Sequence, residues 1–269
     1  MCRTRYYLFQ SKESINMGRL DGKVAIVTGS GKGIGEAIAA RFAREGANVV
    51  VNARNAENVD RVVKEINSLG FGRAAGCACD VSNKEDAERL VNAAVGEFGR
   101  LDILVNNAGF TRDNWLVKMT EEEFDIVIQV HLKGTFLCTR AAAKIMMQQK
   151  SGRIINVTSR AGLKGNIGQA NYSSAKAGIV GFTKTCALEL GPRYSITVNA
   201  VAPAAWTEMT ARVPESVKPK MLENRVLGRM ADLKQNPDEI TGIFVLLASD
   251  EGGYITGQII SVDGGGLGL

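Results

Sequence analysis

Histidine occurs once in these 269 residues, as His131, and the five cysteines (Cys2, Cys77, Cys79, Cys138, Cys186) form no Cys-x-x-Cys pair. With the acidic residues scattered as well, no ligand set for a protein-held metal can be assembled, and none is predicted. Aromatic residues make up only 6% of the chain. They form no platform interleaved with basic residues, which argues against nucleic-acid binding. No apolar run approaches the roughly 20 residues that a membrane span needs, so no membrane partner is expected. The cysteine pattern fits a reducing compartment, with Cys77-Ala-Cys79 setting two thiols on one face of a strand as core filler. A cytoplasmic location follows as the expectation. Net charge is +5. Arg3, Arg5, Lys12 and Glu13 give +2 to residues 1–16, which leaves +3 elsewhere, weak support for anionic ligands and no more.

What is present reads as one soluble domain. Residues 1–16 differ in character from the rest and are expected to be a disordered N-terminal extension. Residues 17–269, opening on MGRLDGKVAIVTG, form the predicted domain. Val24–Thr28 is a continuous apolar, β-branched run, the mark of a strand covered on both faces. Gly29-Ser-Gly-Lys-Gly33-Ile-Gly35 follows, then a helical pattern over 36–46 and a second strand over 48–53. Strand, glycine turn and helix in that order form a dinucleotide site, because the glycines let backbone N–H groups approach a pyrophosphate at the helix's positive end.

The alternation continues with helices over 57–69 and 84–98 and strands over 73–79 and 101–105. A long helix over 121–149, interrupted at Gly134, comes next. A strand over 153–158, a helix over 170–190 and a strand over 196–201 lead to a loop from about 203 to 219, placed to close over substrate. A helix over 238–248 and a strand over 258–262 end the pattern. Seven strands alternating with helices, with no break in composition, predict a single-domain Rossmann-type α/β fold, a doubly wound parallel sheet with helices on both faces.

Two stretches carry chemistry. At the end of the second strand, where an NAD site places a carboxylate for the ribose 2′-hydroxyl, Asn52-Ala53-Arg54 offers none. Arg54 and Lys32 together could clamp a 2′-phosphate, so the expected cofactor is NADP(H). Further along, Ser159 follows a buried strand, and Tyr172 and Lys176 stand four apart on a helix, on one face. A cation about 4 Å from a phenol contributes roughly 4 kcal/mol to its anion, about three pKa units. That pairing reads as a tuned proton donor.

These residues identify a resemblance. TGSGKGIG (Thr28–Gly35), NNAG (Asn106–Gly109), Ser159, YSSAK (Tyr172–Lys176) and VDGG (Val262–Gly265) resemble the classical short-chain dehydrogenase/reductases over about residues 20–265. TRDNWLVKM, GNIGQANY and ITVNAVAP narrow the likeness to 3-oxoacyl-(acyl-carrier-protein) reductases. The resemblance implies that Tyr172 donates a proton to a carbonyl while a nicotinamide supplies hydride. Lys176 would hold the nicotinamide ribose and lower the phenol's pKa, and Ser159 would steady the alkoxide. It assigns Gly29, Ser30, Lys32, Gly33, Ile34 and Gly35 to the cofactor's phosphates and Arg54 to the 2′-phosphate. Asp80 and Val81 go to the adenine, and Asn107, Ala108 and Gly109 to the strand edge beside the adenosine half. Pro203, Trp206 and Thr207 go to the nicotinamide end. It also implies a small-molecule or carrier-bound acyl substrate and a homotetramer.

Three departures bear on substrate. The family's fourth catalytic position, usually Asn, is His131 in VHLKGTF; the imidazole either joins a proton relay or is packed with its nitrogens satisfied locally. PGFIxT becomes Pro203-Ala-Ala-Trp-Thr207, one residue shorter. The loop TARVPESVKPK differs too. VHLKGTF with PAAWTEMT is also similar to (R)-3-hydroxyacyl-coenzyme A dehydrogenases, so a coenzyme A ester, a free ketone and a silent scaffold remain alternatives to the acyl-carrier thioester.

Overall fold

The computed structural model describes residues 18–267 apart from 208–209, 211–214, 217 and 224; the expected extension over 1–16 lies outside the described residues. In β1 (Val24–Val27) every residue is buried, and the reason is visible in the packing. Ala25 and Val27 belong to one core cluster with Ile38 and Phe42 of α1 (Gly33–Arg44). Val24 and Ile26 belong to a second cluster on the opposite face, with Leu90 of α3 (Lys84–Phe98). Alternate side chains of a strand point to opposite faces, so a strand covered on both sides must be apolar throughout.

Seven strands form one parallel sheet. β1 pairs on one side with β2 (Asn48–Ala53), which pairs with β3 (Ala74–Ala78) at the edge. On its other side lies β4 (Ile103–Asn106), followed by β5 (Gly152–Val157), β6 (Ile196–Pro203) and β9 (Ile259–Val262). The order is β3-β2-β1-β4-β5-β6-β9. Helices α1, α2 (Ala56–Ser68) and α9 (Asp238–Ala248) cover one face. Helices α3, α5 (Gly134–Gln149) and α7 (Ala170–Tyr194) cover the other. This is the doubly wound sheet expected from the sequence. The chain reverses direction of travel between β1 and β4, which opens a crevice at the carboxyl ends of those strands.

Several boundaries differ from expectation. The break in the long helix falls before Gly134, not at it. α4 (Glu121–Ile128) runs into a π turn, Gln129–Lys133, whose closing Gly134 amide reaches back to the carbonyl of Gln129. α1 starts at Gly33, inside the glycine loop, and α7 continues to Tyr194. The expected loop over 203–219 contains β7 (Ala205–Trp206), paired with β8 (Ala231–Asp232), and the start of α8 (Lys218–Glu223); part of it lies outside the described residues. A short helix, α6 (Arg160–Lys164), had no counterpart in the pattern. Five residues are too few to show a period.

A buried polar chain ties the centre of the sheet to α5 and α7. The Asn106 amide donates to Thr139 Oγ1 (3.0 Å) and to Asn156 Oδ1 (2.9 Å). Asn156 donates in turn to Thr183 Oγ1 (2.9 Å), which donates to the Ile179 carbonyl (2.7 Å). Each buried polar group left unsatisfied costs about 1–3 kcal/mol. The chain therefore fixes how α7 is rotated against β5, and with it where Tyr172 and Lys176 face. At the outer edge, Cys77 and Cys79 do share a face, their Sγ atoms 3.9 Å apart.

Candidate active site

Because the sheet is parallel, the carboxyl ends of its strands lie along one rim, and every residue singled out above from the strand ends is there. Ser159 follows β5 and Thr158. Its Oγ accepts from the Ala161 amide (3.2 Å), capping α6. Asn171 starts α7 as a brace. Its amide donates to the carbonyls of Arg112 (2.8 Å) and Glu123 (2.9 Å), and its Oδ1 accepts from the Tyr172 amide (2.7 Å). This brings Tyr172 within hydrogen-bond contact of the Ser159 hydroxyl. Two hydroxyls so joined make a pair of donors for one oxygen atom.

Lys176, one turn along α7, is only 3% exposed. Its Nζ donates to the Val157 carbonyl (2.6 Å) and lies 5.6 Å from the centre of the Tyr172 ring. Burial pushes its pKa down to about 7. The phenol of Tyr172 is raised above its ordinary value: burial raises it, the Ser159 bond partly offsets this, and the Asp113 carboxylate raises it further. This corrects the expectation that Lys176 lowers the phenol. The ammonium is turned to a carbonyl and its own charge is disfavoured by desolvation, so the Coulomb gain reckoned at about 4 Å in a polar medium is absent. Asp113, held by Gln169 (2.9 Å), and Asn171 were missed in the sequence; only their nearness to Tyr172 in space reveals them.

His131 sits in the π turn, 2% exposed. Nε2 meets both the carbonyl (2.7 Å) and the amide N–H (3.1 Å) of Phe110, while Nδ1 has no hydrogen-bond partner. The ring stands edge-on to Tyr172, centroids 5.1 Å apart. It also fills the space above Gly109, where a Cβ would come within 1.9 Å of Cε1. Only glycine fits there. Burial first, then the nearby Lys176, push its pKa down to about 3, against a small rise from the Phe110 bond. The imidazole is neutral at physiological pH. Local satisfaction holds for one nitrogen and fails for the other.

The crevice between β1 and β4 suits a dinucleotide. Gly35 packs so closely that a Cβ would lie 2.4 Å from Asn107 Nδ2 and 2.5 Å from the Gly29 carbonyl, and the twelve-residue α1 points its N-terminus into the loop. Gly33 and Ile34 open that helix, and Ala108 presses against Gly29. Some assigned residues hold the loop instead of facing a ligand. The Ser30 hydroxyl donates to the Val27 carbonyl (2.6 Å) and accepts from the Asn52 amide (3.0 Å), and its own amide donates to the Asn52 carbonyl. Ser30 thus ties the glycine loop to the ends of β1 and β2. Asn107 donates to the carbonyls of Thr28 (2.9 Å) and Gly29 (3.2 Å). Val81 is buried against Gly134.

Around the crevice mouth, Asp80 accepts from the amide (2.9 Å) and hydroxyl (2.7 Å) of Ser82, and its other oxygen lies 4.0 Å from Arg54. The Arg54 guanidinium is 69% exposed and sits 6.0 Å from the Phe110 ring. Lys32 precedes α1 at its N-cap. On the far side, Pro203 ends β6, Trp206 lies under the Lys218 ammonium (5.8 Å), and the Thr207 amide donates to Thr210 Oγ1 (2.7 Å). Among the described residues, no group of three or more histidine, cysteine or acidic side chains could hold a metal, and no helix is long and apolar enough to cross a membrane.

Comparison with known proteins agrees with this geometry. Residues 29–266 match the family described as enoyl-(acyl carrier protein) reductase. The chain is 44% identical to the 3-oxoacyl-(acyl-carrier-protein) reductase of Thermotoga maritima over 248 residues, 92% of this chain and 98% of the relative. It is 47% identical to the enzyme of that name from Synechocystis, over 93% of this chain and 98% of the relative. It is 44% identical to a subunit of a (2S)-((R)-hydroxy(phenyl)methyl)succinyl-CoA dehydrogenase of Thauera aromatica, over 91% and 97%. A solved structure from Sinorhizobium meliloti, described as a short-chain alcohol dehydrogenase, superposes with a TM-score of 0.87 at 37% identity, covering 92% of this chain and 97% of its own.

The depressed pKa of His131 has a measurable sign. The unfolded chain takes up its proton near pH 6.5 and the folded chain only near 3. Stability from this residue is thus full above pH 6.5 and falls by about 1.4 kcal/mol per pH unit below it. Urea unfolding between pH 7 and 5 should show this slope, with part of it lost in His131→Asn. An imidazole NMR titration with a midpoint near 6.5 would contradict it.

Proposed function

The chain belongs to the short-chain dehydrogenase/reductase family, and we propose that it reduces the ketone of a 3-oxoacyl thioester to the hydroxyl with NADPH. The observation that carries this is the hydrogen-bonded Ser159–Tyr172 pair, with Lys176 buried one turn behind it, at the rim where β4 and β5 end. Bound NADPH supplies the hydride. The two hydroxyls bind the carbonyl oxygen, and Tyr172 gives its proton to the alkoxide as charge develops. A raised phenol pKa keeps Tyr172 protonated before reaction, as an acid must be. Lys176, with a pKa near 7, is poised to change charge as Tyr172 does and to hold the nicotinamide ribose. A paired oxygen-binding site favours C=O over C=C reduction. Both acyl-carrier protein and coenzyme A appear in the relatives' names, so either is a suitable carrier.

His131 is a neutral wedge in this reading and not a proton carrier, because its pKa lies well below physiological pH and Tyr172 already supplies the acid. Arg54, at the end of β2 and without an acidic residue at that strand's end, binds the 2′-phosphate, with Lys32 at the N-terminus of α1 beside it. The reaction takes place in a reducing, cytoplasmic setting that keeps the buried thiols reduced. The exposed apolar side chains Phe124 and Phe136 on α4 and α5 and Leu188 on α7 pack between copies of the chain in a homotetramer.

Three measurements test the proposal. Tyr172→Phe should lower kcat by roughly 10²–10⁴ with NADPH affinity kept, the range of a lost general acid; near-normal turnover of a 3-oxoacyl thioester would refute the mechanism. Arg54→Asp should weaken NADPH binding by about 1.5–3 kcal/mol and shift preference towards NADH, whereas a wild type indifferent between the two cofactors would remove the argument. Light scattering at micromolar protein should give a tetramer mass, and a monomer mass would defeat the assembly.

A further inference from the structure

β3 is an edge strand with a neighbour on one side only. Where it ends, Cys77 and Cys79 set their thiols side by side, Sγ atoms 3.9 Å apart, each residue 6% exposed. The surroundings of the two sulfurs differ. Cys77 Sγ accepts from the guanidinium of Arg89 on α3 (3.7 Å), and Arg89 itself lies at the surface. The Cys79 thiol first, and Arg89 after it, push the Cys77 thiol below its ordinary value, against burial and the Asp86 carboxylate. Cys77 is thus the sulfur disposed to become a thiolate, with Cys79 beside it as a second thiol. A thiolate next to a cation, with another thiol in reach, is the arrangement that oxidants select.

One side chain joins this pair to the dinucleotide crevice. The Asn52 amide donates to the carbonyls of Cys77 (3.0 Å) and Cys79 (3.3 Å) and to Cys79 Sγ (3.2 Å). Its Oδ1 accepts from the amide of Gly29, the first residue of the glycine loop (3.3 Å). Asn52 is buried, so its amide has no water to turn to when a partner moves. Cys79 also leads directly into Asp80, whose carboxylate lies 4.0 Å from Arg54.

We propose that Cys77 and Cys79 form a peroxide-sensitive dithiol, and that its closure to a disulfide loosens the glycine loop and weakens NADPH binding. The Cys77 thiolate attacks one oxygen of hydrogen peroxide, the O–O bond breaks, and the departing hydroxide takes up the thiol's proton as water. Cys79 then attacks the sulfenic sulfur, the S–O bond breaks, and the Cys79 proton leaves with that oxygen as a second water. Each sulfur gives up one electron and the peroxide takes both. Residues two apart on a strand have Cα atoms about 6.6 Å apart, at the upper end of what a disulfide spans. Closing the sulfurs to about 2 Å therefore draws on the backbone at Cys79 and takes its sulfur from Asn52, the residue that holds Gly29. In the reducing setting proposed above the pair rests as thiols. The inference rests on the NADP(H) reading.

The test treats the reduced protein with hydrogen peroxide and maps the tryptic peptide over residues 74–84 by mass spectrometry. That peptide should become lighter by two hydrogens. A titration followed by NADPH fluorescence should then give a Kd raised about fivefold or more, the loss expected for one hydrogen bond released. Dithiothreitol should restore both mass and Kd. Cys77→Ser and Cys77→Ala should bind NADPH as the wild type does and keep that affinity after peroxide. A peptide that gains oxygen or stays unchanged overturns the dithiol. A bridge that leaves the Kd unaltered, or a peroxide effect that persists in both variants, overturns the link to the cofactor. Reduced protein that binds no NADPH would overturn the cofactor reading and that link with it, while the bridge is still read by mass with no nucleotide present.

Discussion

Parallel pairing of β1 with both β2 and β4 is the constraint on which the rest depends. It sends the chain outward in two directions from one strand, and it leaves every strand's carboxyl end on the same rim. The glycine loop, Arg54, Asp80, Asn107, Ser159 and Pro203 are far apart in sequence, yet each follows or ends one of these strands. No single one of them specifies a site. The sheet assembles them, with an apolar core packed on each of its faces.

Desolvation governs the chemistry within that rim. Lys176, His131 and Tyr172 all shift towards their neutral forms, each with burial as the largest cause. The phenol and the imidazole are therefore neutral around the reacting carbonyl, and the lysine, which would be fully charged in water, is brought close to its own titration point. Proton transfer then costs little reorganisation, since fixed dipoles such as the Val157 carbonyl and the Ser159 hydroxyl already face the groups that will change charge.

The fold was legible because its signals are long and periodic. Continuous β-branched runs marked the buried strands, and the spacing of Tyr172 and Lys176 marked their shared face. What escaped notice depends on contacts between distant segments. The partners of the Ser30 amide and hydroxyl come from β1 and β2, which the local pattern of the glycine loop does not encode. The sign of the Tyr172 shift depends on where the Lys176 ammonium turns, which spacing does not encode. Asp113 and Asn171 lie in stretches whose local pattern says nothing of a phenol.

The π turn at Gln129–Lys133 sets an angular relation between two otherwise ordinary helices. An α-helix advances about 100° per residue, so the one surplus residue in this turn decides which way all of α5 faces. With it, Leu137, Cys138, Ala141 and Met146 point into the core. Without it, those side chains would swing by more than a quarter revolution away from the positions they now fill against the sheet. The irregularity that seats His131 beside Tyr172 is thus also the phase marker for sixteen residues of helix downstream. Evolution cannot smooth that turn without rewriting the helix that follows.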